Sequence, residues 1–175
     1  MKRNTEHLKQ KIREILDFPT PGIKFKDITP LLEDPESFKE AIDGLVDFFR
    51  DIKINKVVGI DARGFLLASA VAYLLNAGMV IVRKKGKLPH QTIVREHDLE
   101  YGRGTLEIHV DAIKKGERVL VIDDVLATGG TADAAVKLVE HLGGDVVGLG
   151  FLLELSYFPG REKLKNYNIN SLIIY

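Results

Sequence analysis

Apolar residues along the chain follow two spacings in turn. Short runs rich in Val and Ile have the length of strands buried on both faces, and longer segments with apolar residues three or four positions apart predict helices. The predicted strands are residues 57–60, 80–82, 119–122 and 146–153. The predicted helices are residues 8–16, 38–49, 65–75 and 134–142. Because strands and helices alternate, the pattern predicts an α/β fold with a mostly parallel, twisted sheet flanked by helices.

A stretch of about twenty residues interrupts this alternation. Residues 84–103 follow neither the period of a helix nor that of a strand. A loop of that length inside a compact domain is usually functional, and is often a lid over a binding site. We therefore expect a single domain over residues 1–175 that carries a flexible hood loop at about residues 84–103.

The composition narrows the class of protein. Basic and acidic residues number 25 each, which argues against a protein that coats nucleic acid or a membrane surface. The absence of cysteine excludes disulfides and thiolate metal sites. Residues 64–82 carry no charge, but Asn76-Ala77-Gly78 predicts a helix end within them. We therefore expect no membrane span and a cytoplasmic protein.

The residues with the clearest chemistry follow the strand at 119–122. Asp123 and Asp124 come directly after it, and a Thr-Gly-Gly-Thr turn at 128–131 opens the next helix. Open α/β folds bind ligands at the carboxyl ends of their strands, and a glycine-rich turn before a helix offers N–H groups to an anion. Two acids beside a phosphate suit the hydroxyls of a ribose 5-phosphate. The residues alone leave a structural alternative open, in which an Asp caps the helix and the turn binds no ligand.

The segment 119–131 resembles the ribose-phosphate signature of the type I phosphoribosyltransferases, and implies their fold. By this resemblance, Asp123 and Asp124 hold the ribose 2′ and 3′ hydroxyls of 5-phospho-α-D-ribose 1-diphosphate (PRPP) and stabilise a cationic transition state. The 5-phosphate would be held by Ala127, Thr128, Gly129, Gly130 and Thr131. Mg²⁺ would arrive on the pyrophosphate oxygens of PRPP, with no metal ligand expected from the protein.

Other stretches resemble the members of this family that use adenine. They are residues 18–28, 61–65, 85–89 and 99–102, which occur in the family's order and spacing. The resemblance implies that Phe25 stacks on adenine and that main-chain groups of Lys24 and Lys26 meet its Watson–Crick edge. Spacing alone leaves Phe25 equally interpretable as a core residue.

The resemblance also implies which residues hold pyrophosphate. The turn Asp61-Ala62-Arg63-Gly64 becomes the pyrophosphate loop, with contacts from Ala62 and Arg63, and the family often has a non-proline cis peptide bond here. Arg83 and Lys87, in a basic run after the next strand, are implied to bind pyrophosphate and to approach the site of a neighbouring subunit. Basic runs of this kind are most often solvated surface, so that alternative stays open.

The hood carries two further candidates. In isolation, Glu100 is an exposed acid and Tyr101 is a loop aromatic. The resemblance implies that Glu100 transfers a proton near the purine N7 and that Tyr101 helps to close the hood. Closure would exclude the water that competes with adenine for the reactive sugar carbon.

The family resemblance implies an enzyme of purine salvage that converts adenine and PRPP to AMP and diphosphate, acting as a homodimer. Two alternative functions remain open. The first is a phosphoribosyltransferase for another base, such as hypoxanthine, xanthine or orotate. The second is a non-catalytic regulator that senses nucleotides through the same pocket.

Overall fold

A computed structural model describes residues 5–98 and 102–175. The strands are β1 Arg13–Leu16, β2 Lys24–Asp27, β3 Lys56–Ile60, β4 Gly78–Lys84, β5 Thr92–Asp98, β6 Arg103–His109, β7 Arg118–Leu126, β8 Asp145–Glu154 and β9 Ile169–Ile174. Over the described residues the central sheet has seven strands in the order β5-β6-β4-β3-β7-β8-β9. From β4 to β9 the neighbouring strands are parallel, while β6 and β5 are antiparallel at one edge. The prediction of a mostly parallel sheet is confirmed.

Helices cover both faces of this sheet. They are α1 Glu6–Gln10, α2 Thr29–Glu33, α3 Pro35–Asp47, α4 Arg63–Leu74, α5 Gly130–His141 and α6 Gly160–Lys163. On β7, Leu120 and Ile122 pack with residues of α3 and α4, while Val121 packs on the opposite face with residues of α5. Because successive strand residues point to opposite faces, this apolar strand is buried on both. The predicted flanking of the sheet by helices is confirmed.

The first predicted helix is wrong in its second half. α1 ends before residues 13–16, which form β1 and pair antiparallel with β2, with Ile15 opposite Phe25. A short apolar segment fits the helical and the extended period alike, so its pairing partner decides its conformation. The resulting hairpin carries Phe25 on β2.

The region predicted to be a loop is largely strand. β5 and β6 form an antiparallel pair at the edge of the sheet. Arg95 and Glu96 on β5 are exposed, and a charged edge strand lacks the apolar run that marks a buried one. The expectation of a loop throughout residues 84–103 is therefore wrong for residues 92–98. Residues 99–101 lie outside the described part of the chain.

The uncharged stretch at residues 64–82 is divided between α4 and β4. Asn76, which follows α4, has a φ of 51°, and so the helix ends where the sequence predicts. In the part of the chain that the structure describes, no helix combines the length and the apolar character needed to cross a bilayer.

Candidate active site

Asp123 and Asp124 lie on β7 just beyond the end of its pairing with β3. The last pair between these strands is Gly59 with Ile122, and β7 continues to Leu126, past the strand end that the sequence predicted. Asp123 is 9% exposed and Asp124 is 6% exposed. Burial raises the pKa of both carboxyls, and the neighbouring charge of Asp124 raises the pKa of Asp123 further. The protein itself therefore compensates negative charge on this pair only in part.

Arg63 connects this acid pair to the amino-terminal hairpin. Arg63 Nε lies 2.7 Å from Asp124 Oδ2, and the guanidinium lies over the Phe25 ring at 4.8 Å from its centroid. The charge of Arg63 opposes the effect of burial on the pKa of Asp124. The Arg63 N–H is nevertheless not aligned for a hydrogen bond, and Asp124 Oδ2 receives none from the described residues. A buried acceptor of this kind suits a ligand that brings a donor.

The turn between β3 and α4 approaches the acid pair closely. Its Asp61–Ala62 peptide bond is cis, which confirms the expectation based on the family resemblance. At Gly64, a Cβ atom would lie 2.6 Å from Asp123 Oδ1. Only glycine lets the start of α4 come this close to the carboxylate without displacing it.

The residues predicted to hold the 5-phosphate form the turn after β7 and the first two residues of α5. They are Ala127, Thr128, Gly129, Gly130 and Thr131. Gly129 has a φ of 78°, in the left-handed region that favours glycine. A Cβ atom at Gly130 would lie 2.2 Å from the Asp98 carbonyl oxygen, and one at Gly160 would lie 2.2 Å from the Ala127 carbonyl oxygen. The turn is thus enclosed between β5 and α6, at the positive end of the α5 dipole.

The hairpin of β1 and β2 presents main-chain groups around Phe25. The Asp17 N–H donates to the Ile23 carbonyl at 2.8 Å, and hydrogen-bonded pairs alternate with non-hydrogen-bonded pairs along an antiparallel ladder. The pairs that contain Lys24 and Lys26 are therefore not hydrogen-bonded to β1. Their N–H and C=O groups face away from β1, as recognition of a base edge requires.

Side-chain contacts hold this hairpin in place. Lys26 Nζ donates to Glu14 Oε2 at 2.6 Å and lies 4.1 Å from the centroid of the Tyr175 ring. Phe18 and Phe25 meet edge to face, with their centroids 5.1 Å apart. Phe25 is half-buried and lies outside the apolar core, so its interpretation as a core residue is wrong.

Arg83 lies beside the turn that contains the cis peptide bond. Arg83 Nε is 3.2 Å from Asp61 Oδ2, and Arg83 Nη1 donates to the Lys87 carbonyl at 3.2 Å. The side chain of Lys87 is exposed. The structure therefore brings both residues next to the proposed pyrophosphate loop of their own chain, and their approach to a neighbouring subunit stays a prediction.

Glu100 and Tyr101 lie outside the described residues, and their roles stay predictions. The strand that leads to them can be placed, because Asp98 at the end of β5 packs against Gly130. β5 and the segment 127–131, which we call the phosphate turn, are therefore in direct contact.

Comparison with known proteins agrees with this geometry. Residues 27–172 match the family model described as a phosphoribosyl transferase domain. A curated adenine phosphoribosyltransferase from Solibacter usitatus is 56% identical over 168 residues, which cover 96% of this chain and 97% of the relative. The chain belongs to the adenine phosphoribosyltransferase family.

Solved structures of adenine phosphoribosyltransferases share the fold. The crystal structure of the Thermoanaerobacter pseudethanolicus protein has a TM-score of 0.95 and 50% identity, covering 98% of this chain and 100% of that one. The Saccharomyces cerevisiae protein has a TM-score of 0.89 and 38% identity, covering 96% of this chain and 97% of that one. Its structure is a complex with D-2,5-dideoxy-2,5-imino-altritol 1,6-bisphosphate and adenine. The expected type I phosphoribosyltransferase fold is confirmed.

Sequence analysis missed an ion pair that supports the phosphate turn. Arg161 donates to both oxygens of Glu154, at 2.8 and 2.6 Å, and Ser171 Oγ donates to Glu154 at 2.6 Å. Hydrogen bonding to Arg161 keeps the pKa of the buried Glu154 below its ordinary value. The pair fixes α6, whose Gly160 packs against the turn. A lone acid directly after the apolar run at 146–153 is the signal that could have revealed it.

The family resemblance implies Mg²⁺, and the acidic side chains of the site indicate how such an ion could be held. Within residues 5–98 and 102–175, no group of three or more His, Asp or Glu side chains is arranged to hold a metal ion. Asp123 and Asp124 supply buried carboxylates to the site, and Asp61 lies beside Arg83 at the cis-peptide turn. Such a site fits an ion whose ligands come mainly from substrate oxygens and water.

Proposed function

We propose that this protein transfers the 5-phosphoribosyl group of PRPP to adenine and releases AMP and diphosphate, a reaction of purine salvage. The observation that carries the proposal is the convergence of Phe25, Arg63 and Asp124 beside the turn at 127–131. A flat ring, a cation, buried carboxylates and a helix amino terminus match the base, the pyrophosphate, the ribose and the phosphate of one reacting complex.

The acid pair would bind the ribose. Asp124 Oδ2 is a buried acceptor that a sugar hydroxyl can satisfy, and Asp123 lies beside it. As adenine N9 attacks C1′ and the bond to pyrophosphate breaks with inversion, positive charge develops on the sugar ring. Preorganised negative charge in a water-poor site stabilises that cation. The acids would therefore contribute to catalysis as well as to binding.

The 5-phosphate would bind at the turn of residues 127–131. Gly129 and Gly130 let the backbone pass closely between α6 and β5, and α5 begins at Gly130. Main-chain N–H groups and the helix dipole then face the phosphate. The hydroxyls of Thr128 and Thr131 supply further donors.

Adenine would be recognised by the amino-terminal hairpin. The outward main-chain groups of Lys24 and Lys26 offer both donors and acceptors, while Phe25 supplies a stacking surface. An adenine edge presents an exocyclic amine donor and a ring-nitrogen acceptor. A 6-oxopurine presents the reverse pattern, which would leave main-chain groups of the hairpin and of the base unpaired once the site is closed. This arrangement favours adenine over hypoxanthine.

The leaving pyrophosphate would meet Ala62, Arg63, Arg83 and Lys87. Arg63 and Arg83 already lie beside the site through their contacts with Asp124 and Asp61. The main-chain groups at Ala62 follow the cis peptide bond. Mg²⁺, bound to the oxygens of PRPP, would neutralise charge on the leaving group.

The hood would close over both substrates. The contact between Asp98 and Gly130 supports closure onto the phosphate turn. Closure would carry Glu100 and Tyr101 toward the base, where Glu100 would take the proton released near N7. Exclusion of water would protect the reactive C1′ atom from hydrolysis.

A homodimer is part of the proposal. Leu66 and Tyr73, two turns apart on α4, share one face and are 50% and 85% exposed, and Ile81 on the adjacent β4 is also exposed. Exposed apolar side chains on neighbouring elements favour association, and closed twofold symmetry is the commonest solution. The dimer and the cytoplasmic location stay predictions, which light scattering and fractionation test.

A coupled assay of pyrophosphate release with PRPP, Mg²⁺ and adenine tests the function directly. We expect turnover with adenine and little with hypoxanthine, xanthine or orotate. Preferred turnover of another base would establish the first alternative. Tight AMP binding without turnover of any base would establish the regulator.

A further inference from the structure

Glu107 is a buried carboxylate on β6 that the mechanism above does not use. It is 3% exposed. Glu107 Oε1 accepts the N–H groups of Lys87 at 2.7 Å and Leu88 at 2.8 Å, and Oε2 accepts the Thr92 hydroxyl at 3.3 Å. Burial alone would raise the pKa of Glu107, but the main-chain N–H groups around it, with that of Leu88 foremost, bring the pKa below its ordinary value. An ionised carboxylate therefore anchors the main chain that follows β4.

The anchored main chain leads directly to the proposed pyrophosphate contacts. Across the β4–β6 pair, Glu107 stands opposite Arg83. The N–H of Lys87 donates to Glu107, while the carbonyl of Lys87 accepts from Arg83 Nη1. Arg83 Nε in turn lies 3.2 Å from Asp61 Oδ2. A continuous chain of polar contacts thus joins Glu107 to the cis-peptide turn.

We infer that Glu107 is a positioning residue, which holds the main chain of Lys87 so that Lys87 and Arg83 meet the pyrophosphate of the donor together. The inference rests on the proposed function. Ordering an exposed, positively charged segment costs conformational entropy, and a preformed anchor removes part of that cost before the donor binds. An isolated acid between Leu106 and Ile108 in an apolar strand is the signal that sequence analysis overlooked.

This role differs measurably from a general contribution to the fold. Glu107 contacts the segment that would serve pyrophosphate, whereas the phosphate turn at 127–131 and the acid pair are held by other groups. PRPP and free pyrophosphate carry the group that Lys87 and Arg83 would bind, and AMP does not. Loss of the anchor should therefore weaken PRPP and pyrophosphate selectively.

The experiment compares three variants of the full-length protein. Glu107→Ala removes the acceptors, and Glu107→Asp draws them back from the N–H groups of Lys87 and Leu88. Glu107→Gln keeps an oxygen for both N–H groups and an amide that can donate to the Thr92 hydroxyl. Kinetics give KM for PRPP and kcat, and calorimetry gives affinities for Mg²⁺-pyrophosphate and AMP.

A matched control is Glu117→Ala. Glu117 Oε2 also accepts a main-chain N–H, that of Lys114 at 2.8 Å, but the residue lies outside the site. We expect this variant to bind all ligands as the wild type does.

For Glu107→Ala we expect KM for PRPP and the dissociation constant of pyrophosphate to rise about tenfold, the scale of losing two buried hydrogen bonds. The affinity for AMP should stay within about twofold, and Glu107→Gln should restore most of the donor affinity. Equal weakening of PRPP and AMP, or unchanged PRPP binding, would overturn the inference. If Glu107→Ala does not fold, the ratio of PRPP to AMP affinity in Glu107→Asp decides by the same criterion.

The wild-type measurements separate this inference from the proposed function. A wild type that binds PRPP and AMP, with variants that show no selective loss, refutes the positioning role alone. A wild type that turns over no adenine but binds pyrophosphate, with selective weakening in Glu107→Ala, refutes the proposed function and supports the anchor.

Discussion

The phosphate turn and the basic segment are two anion-binding regions of one proposed site, and they are built in different ways. The turn at residues 127–131 belongs to a continuous strand–turn–helix segment and depends on glycines that allow close packing. The basic segment at residues 83–88 is held by Glu107, which lies 20 residues beyond Lys87. In the proposed site, local backbone geometry would serve one anion, whereas a distant buried carboxylate holds the main chain of the residues that would bind the other.

The largest effect should come from the acid pair of the continuous segment. Asp123→Asn is expected to lower kcat/KM by about 10²–10³, because a preorganised charge opposite a developing cation is lost. The folded-state pKa of Asp123 is raised, so its charge destabilises the fold as pH rises through that pKa. The melting temperature at pH 7 should therefore equal or exceed that of the wild type. Near-normal turnover with a collapsed melting temperature would show that the acid is structural.

The next effect tests the hood, which adjoins the basic segment. Glu100→Ala should lower kcat by about 10², the usual scale for a positioned acid or base, while PRPP affinity changes little. Calorimetry of PRPP binding beside turnover separates the two quantities. Glu96→Ala, at an exposed position on β5, is the control. Full kcat in Glu100→Ala would mean that the proton leaves by another route, such as solvent.

A third variant tests the support of the phosphate turn from outside its own segment. Arg161→Met leaves Glu154 buried with only part of its hydrogen bonds, so we expect a loss of about 1–2 kcal/mol in the free energy of unfolding, at the modest end because Arg161 is half-exposed. PRPP and AMP should both bind less tightly, since both carry the 5-phosphate. Lys165→Met, which removes an exposed pair with Glu162, should change neither quantity. If Arg161→Met weakened PRPP binding but not AMP binding, the Glu154–Arg161 pair would not be supporting the phosphate turn.

The smallest effect distinguishes the two regions by pH. The pKa of Glu107 lies below its ordinary value of 4.5, so its contribution to stability is present above that value and is lost as pH falls through the folded-state pKa. The pKa of Asp123 is raised, so its contribution to stability is present at low pH and is lost as pH rises through the folded-state pKa. In urea unfolding from pH 3 to 7, the difference in the free energy of unfolding between wild type and Glu107→Gln should grow in favour of wild type as pH rises, and the difference between wild type and Asp123→Asn should move the opposite way. If both differences changed in the same direction with pH, the opposite pKa shifts assigned to Glu107 and Asp123 would be wrong.

Much of the fold could be predicted because its central elements are strongly patterned. The run at 119–122 is apolar at consecutive positions and rich in β-branched residues, which favours a strand buried on both faces. The edge strand β5 could not be predicted in the same way. Its charged residues face solvent, and its conformation comes from hydrogen bonds to β6.

The residues of the candidate site likewise include some that local sequence could identify and some that it could not. Asp123, Asp124 and the turn at 127–131 could be identified together because one short segment carries them. Glu107 and the Glu154–Arg161 pair could not, because the groups that they support lie elsewhere in the chain. The role of Phe25 beside Arg63 depended likewise on a hairpin that the helical pattern of residues 8–16 concealed.

By itself, the sequence determined the alternating α/β architecture and the segment that offers carboxylates and a phosphate turn, because both are properties of neighbouring residues. Only the tertiary structure decided that Arg63 lies between Phe25 and Asp124 and that Glu107 anchors Lys87. The physical reason is that hydrogen bonds and ion pairs between distant segments depend on strand order and register. No local period encodes either of these.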